Sequence, residues 1–271
     1  MPAVNSSSVN PGRAGPGVGR SDRLAEVLDQ FVGWLDSYGE TSWDHQSYFA
    51  GPMGRRAKAL YYRSRLLGVA AVAPMIFSEA FFPPARRLFW KKQRFPIADA
   101  HYAMGFAMRF RQTGEDSDYR RAVDFLEVLE STRSPGYEHH GWGYPFDWET
   151  RNGVMRAGMP LITSTPYMYE AFESVHAIDG EDRWLETMAS IAEHALRDIP
   201  DYEFAPGVRT AAYNPEDPTG LVVNASAYRA FLLSSAAERF GRDDYREAAE
   251  GNLRFVLRAQ NADGSWPYAL D

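Results

Sequence analysis

Cysteine is absent from all 271 residues. Disulfides, thiolate metal ligands and thiol nucleophiles are therefore excluded together, while either redox compartment stays open. Long apolar runs are scarce as well. The most apolar stretch, 66–77, is broken by Pro74 and followed by Glu79. It falls short of the ~20 residues that cross a bilayer, so it reads as a buried helix. An excess of positive charge is also missing: the net charge is −7, which is no footprint for nucleic acid. There is no H-E-x-x-H spacing, no Gly-rich phosphate loop and no G-x-S-x-G elbow. His139 and His140 are adjacent, and His176 and His194 sit on helices without a partner at ligand spacing. We expect no metal and no cofactor.

The opening residues are mostly Ser, Asn, Pro and Gly, without a signal-peptide core. We expect a disordered tail over 1–20, a folded domain over 21–271 and a cytoplasmic location. A basic cluster, Arg86, Arg87, Lys91, Lys92 and Arg94, adjoins Phe81, Phe82, Phe89 and Trp90. Its composition would suit a membrane contact through 81–94. The expected reading is a solvated connector with its aromatics buried.

What the chain has in plenty is a repeated turn. Gly114-Glu115-Asp116, Gly180-Glu181-Asp182 and Gly241-Arg242-Asp243 recur at intervals of 66 and 61 residues. Each separates an apolar helix from an amphipathic one, and such a period signals stacked helical hairpins. Eight helices are predicted, over 22–37, 55–77, 97–112, 117–131, 161–177, 183–197, 221–240 and 244–260. The second helix of each hairpin puts its apolar residues on one face: Tyr119, Ala122, Val123, Leu126 and Leu129; Trp184, Met188, Ile191, Ala192 and Ala195; Tyr245, Ala248, Ala249, Leu253 and Val256. Asp116, Asp182 and Asp243 are placed to cap these helices. The first helices are apolar nearly all round, so they should be inner and the amphipathic ones outer. The fold class is all-α, an (α/α) toroid of helical hairpins. We expect the chain to stop short of the last hairpins of a closed barrel.

In a toroid the long returns 132–160, 198–220 and 261–271 rim one end, and loops of this length are usually functional. The first holds Trp142, Tyr144, Asp147, Trp148, Glu149 and Arg151, and the last holds Trp266 and Tyr268. A weaker echo, 38–49, holds Trp43, Asp44 and His45. Trp and Tyr rings stack on the C–H faces of sugars, while Asp, Glu, Asn and Arg bind their hydroxyls. The same rings also serve as plugs, and the same carboxylates as caps. The expected ligand is an oligo- or polysaccharide on an aromatic lip formed by Trp43, Trp142 and Trp266. Asp147 is the first choice of acid or base, paired with Glu149 or, across the funnel, with Asp44. His45 beside Asp44, and His101 at the start of an inner helix, are further proton-transfer candidates, although the expected reading of His101 is a satisfied, buried histidine. Tyr167 and Asn224, on inner helices, complete the expected binding set.

The stretch Gly141-Trp142-Gly143-Tyr144-Pro145-Phe146-Asp147-Trp148 with Thr150-Arg151 resembles the VpsJ-like family of bacterial polysaccharide-biosynthesis proteins. Ser42-Trp43-Asp44, Asn224-Ala225-Ser226 and Asp263-Gly264-Ser265-Trp266 extend the likeness from about Ser42 onward. The resemblance implies a toroid related to six-hairpin glycosidases and terpenoid cyclases, tied to exopolysaccharide or capsule synthesis. It carries over no catalytic residue. Glu149 stands where the family usually has Gln. The functions this leaves open are a sugar epimerase, lyase or hydrolase, a non-catalytic glycan or protein scaffold, and a terpene-cyclase-like enzyme. The last lacks its Asp-rich metal motif here.

Overall fold

The computed structural model describes residues 20–44, 46–151 and 153–270. The chain divides into two compact units, 1–40 and 41–271. The first unit holds the first helix. In the first unit, α1 (Arg20–Tyr38) ends before Gly39, whose φ of +86° turns the backbone into the left-handed region. Trp34 stacks on Tyr38 at 4.7 Å between ring centroids.

The second unit is mainly helical. Its elements run α2 (Ser47–Ala50), α3 (Pro52–Arg63), α4 (Arg65–Phe81), a 3₁₀ turn (Pro83–Ala85), α5 (Arg86–Phe89), α6 (Pro96–Thr113), α7 (Asp116–Ser131), β1 (Trp148–Thr150), β2 (Gly153–Met155), α8 (Thr165–Asp179), α9 (Asp182–Glu193) with a π turn (His194–Asp198), β3 (Asp201–Ala205), β4 (Val208–Ala211), α10 (Val223–Phe240) and α11 (Asp243–Arg258). Two short antiparallel hairpins, β1–β2 and β3–β4, are folded into the long returns. The helix expected over 55–77 is two helices. Ser64 is extended (φ −143°, ψ 111°) and breaks it.

The hairpins turn where the repeated glycines predicted. Gly114, Gly180 and Gly241 have φ of 73°, 69° and 65°, and each N–H bonds back to the fourth carbonyl before it. This is a left-handed helix stop that glycine takes without a Cβ clash. The expected caps are corrected: Glu115, Glu181 and Arg242 occupy the cap positions, and no cap side chain bonds an amide. Asp116, Asp182 and Asp243 are the first helical residues, where their charge complements the helix dipole.

Each hairpin packs on itself (α6 on α7, α8 on α9, α10 on α11), and α8 lies beside both α6 and α10. Small residues let these helices approach closely: Ala100, Ala103 and Ala107 on α6, Ala171 on α8, Ala236 and Ala237 on α10. Phe125, Phe172, Trp184 and Phe255 fill the spaces between. On α11 the buried seam is Tyr245, Ala248, Asn252 and Phe255, and Leu253 faces out. The first helices are not buried all round. His101, Gly105 and Met108 on α6, and Asn224 and Phe231 on α10, form exposed faces.

The sequence predicted a buried α4, and the structure buries one half of it. Gly68, Val72 and Met75 face α3, while the opposite side lies open. A Cβ at Gly68 would lie 2.0 Å from the Tyr61 Cα, so α3 and α4 touch backbone to backbone there.

Candidate functional site

All three long returns converge on one hollow of about 640 Å³. Trp148, Thr150, Arg151 and β2 come from the first, Tyr213, Asn214, Glu216 and Asp217 from the second, and Tyr268 from the last. The volume lies within the ~300–1,000 Å³ typical of small-ligand sites. The wall is built from the chain upward. β1 and β2 pair Trp148 with Met155 and Thr150 with Gly153. Gly153, at φ +132°, closes the turn. Asp217 organises the second loop, accepting from the Tyr213 N–H at 2.8 Å and from the Thr219 hydroxyl at 2.9 Å. The terminal segment is held as a strand would be, with the Val223 N–H donating to the Tyr268 carbonyl at 3.0 Å and Val222 bridged to Ala269. Tyr268 is 68% exposed, and burial first, then the neighbouring Tyr213, pushes its hydroxyl pKa up.

Trp148 and Thr150 are shared with a second hollow, an apolar groove of about 870 Å³ between the α3–α4 hairpin and β1. Lys58 sits in this groove. Its ammonium lies 5.2 Å from the Trp148 ring centroid and 3.0 Å from Gln46 Oε1. Burial lowers its pKa to about 8, against an opposing pull from Glu149.

The expected carboxylates each have other partners: Ala157, Arg55 and Arg156 for Asp147, Lys58 for Glu149 and Gln46 for Asp44. Asp147 is clamped: Oδ1 accepts from the Ala157 N–H at 3.0 Å, and Oδ2 is bonded by Arg55 with Arg156 at 3.6 Å. The Ala157 amide, with the two guanidiniums, outweighs burial and holds its carboxyl below the usual range. Such a group stays ionised and is a poor acid or base near neutrality. Glu149 lines the groove near Lys58. Asp44 accepts from the Gln46 N–H at 2.7 Å and faces Tyr144. Tyr144 stacks on Phe146 at 5.5 Å and meets Trp148 edge-on at 5.3 Å. Burial, then Asp44, raises the Tyr144 pKa. His45 lies outside the described residues.

The three-indole lip does not form. Trp142 is 1% exposed and gives its indole N–H to the Leu129 carbonyl at 2.8 Å, plugging the end of α7. Trp43 donates to the Trp90 carbonyl and carries Lys92 over its ring at 5.2 Å. Trp266 is 46% exposed but is pinned to α11 through the Val256 carbonyl. Each indole N–H thus ends a different piece of backbone. Trp148, Arg151 and Tyr268 are the expected residues that meet in the loop hollow. Tyr213, Asn214 and Glu216 went unpredicted, although the turn-rich run Asn214-Pro215-Glu216-Asp217-Pro218 marked their loop.

A second set of polar groups lies where α6, α8 and α10 adjoin. The His101 ring packs 4.8 Å from the Tyr167 ring, and the Tyr167 and Tyr228 hydroxyls are 2.9 Å apart. His101 Nδ1 donates to the Ile97 carbonyl at 2.7 Å. The hydroxyl pairing, then burial, pushes the Tyr167 pKa to about 12. Glu170, beside them, is raised by burial and then by Glu173. Asn224 is exposed in the first turn of α10, two residues past the Val222 wall of the loop hollow.

Among the described residues, no three His, Cys, Asp or Glu side chains gather as metal ligands would. In comparisons with known proteins, no family model and no curated protein matches the chain.

Proposed function

We propose that the protein is a carbohydrate-active α/α toroid of bacterial polysaccharide biosynthesis or modification, and that the loop hollow takes a saccharide. One observation carries this reading. Three separate returns bring Trp148, Tyr213 and Tyr268 together with Arg151, Asn214 and Glu216 around one cavity. Flat rings for a sugar face and a ring of donors and acceptors for its hydroxyls are what a saccharide needs. The helical hairpins, the row α6–α8–α10 and the resemblance to VpsJ-like proteins support the toroid. In this reading the returns form its rim and α6, α8 and α10 its inner wall.

The test is a titration with neutral and uronic-acid oligosaccharides followed by calorimetry. Trp148→Ala and Tyr268→Ala should each weaken binding at least tenfold, and Trp266→Ala should leave it unchanged. Equal behaviour of all three variants overturns the assignment.

A second reading, turnover of the bound sugar, is favoured by the packing of the His101 ring, 4.8 Å between centroids, on Tyr167, whose hydroxyl pairs with that of Tyr228. His101 replaces Asp147 as the proton-transfer group, with the tyrosine pair as donor. Deuterium exchange from solvent into the sugar, abolished by His101→Asn, would support it. Binding without exchange, elimination or hydrolysis assigns the protein to the scaffold class instead.

A further inference from the structure

We propose that the α3–α4 hairpin is a docking surface for an anionic membrane, with α4 lying flat in the lipid interface. The observations are the chemistry of one helix face and the charge around it. Leu66, Leu67, Val69, Ala70, Ala73, Pro74, Ile76, Phe77, Ala80 and Phe81 are exposed on α4, and at 100° per residue they cover one half of the helix. No polar residue interrupts that half. Leu66 is 86% exposed and Phe81 67%, and Phe82 and Leu88 continue the surface past the helix end. A solvated helix puts polar side chains on its outer face, and one that is apolar all round meets apolar surroundings.

The charge identifies what those surroundings are. Ten of the chain's 29 basic residues and one of its 36 acidic residues lie between positions 45 and 98. That stretch is strongly cationic in a chain whose net charge is −7. The one acid, Glu79, is paired with Arg86. Arg63 and Arg65 are exposed at one end of the apolar face, and Arg87 and Lys91 at the other. An apolar face bracketed by cations fits headgroups of negative charge above acyl chains. The helix has 17 residues, and no helix among the described residues is long and apolar enough to cross a membrane. An in-plane position is the one its length allows. The expectation of a solvated connector holds for Phe89, which packs 4.7 Å from Tyr48, and fails for Phe81 and Phe82.

Co-sedimentation with vesicles tests the proposal on the full chain. Binding is expected to equimolar phosphatidylcholine and phosphatidylserine, and not to phosphatidylcholine alone, and it should fall with added salt. Arg87→Gln with Lys91→Gln should weaken partitioning by about fivefold per charge. Phe81→Ser with Phe82→Ser should weaken it at least tenfold. Circular dichroism of both variants and their saccharide titration should match the parent, which separates this surface from the loop hollow. No partition onto anionic vesicles, or equal partition onto both kinds, overturns the proposal. So does a dimer that Phe81→Ser with Phe82→Ser converts to monomer without any vesicle binding, which would make α4 an interface between copies.

Discussion

The Arg229 guanidinium, fully buried on α10, reaches Asp201 Oδ2 of β3 at 3.0 Å. It also donates to the Ala195 and Leu196 carbonyls at 2.6 and 3.2 Å, and to Asn252 Oδ1 at 2.9 Å. Those carbonyls belong to the π turn that ends α9, where the helix leaves acceptors without partners. One side chain thus closes a helix end, anchors a β-hairpin and bridges α10 to α11. Burial lowers the Arg229 pKa against the pull of Asp201. Arg229→Met should cost about 3 kcal/mol, since it strands buried acceptors and a carboxylate. Arg229→Lys, with charge but no fork, should fall between the two. Urea unfolding measures both.

Asp147 gives a pH signature. Its folded-state pKa lies below the ordinary 3.8, so the clamp contributes stability above that value. The contribution disappears as pH falls through the folded pKa. Asp147→Asn should be less stable than the parent by about 1 kcal/mol near neutrality, because both partners are partly exposed and screened. The two stability curves should converge below 3.8.

Lys58 tilts stability with pH in the same direction, although here burial makes the charged form the disfavoured one. Its pKa is about 8 when folded, against 10.5. Between those values the unfolded chain binds more protons, so stability rises with pH. Lys58→Met should remove that rise and make the protein more stable at neutral pH. Denaturant midpoints taken across the alkaline range check both parts.

At the hairpin turns, Gly114→Ala, Gly180→Ala and Gly241→Ala should each cost about 1–2 kcal/mol, because alanine meets a Cβ clash at positive φ. Beyond the flanking residues, nothing lies within 4 Å of where a Cβ would stand at any of the three, so the cost is one of local backbone conformation. The sites share no partners, so the triple variant should show additive losses in melting experiments.

The hairpins were legible because their signals are local. A left-handed glycine and an amphipathic stripe each lie within one turn of chain. The role of Asp147 was not legible, since Arg55 stands 92 positions away and only the fold brings it there. Trp142 looked like a rim residue because the sequence records its loop and not the α7 carbonyl that receives its N–H. The α4 face was misread for a different reason. Apolar composition announces burial in something, and the sequence does not say whether that something is protein. In the loop hollow, Trp148 and Tyr268 were readable from composition, whereas Tyr213 became visible only when its return folded over them.

The contact of Gly68 with Tyr61 has a mechanical consequence. With no side chain between them, α3 and α4 form one plate. That plate carries Arg55, whose ion pair grips Asp147 immediately before β1. Gly68→Ala would drive a Cβ into the Tyr61 backbone and force the two helices apart, loosening the hold of Arg55 on Asp147.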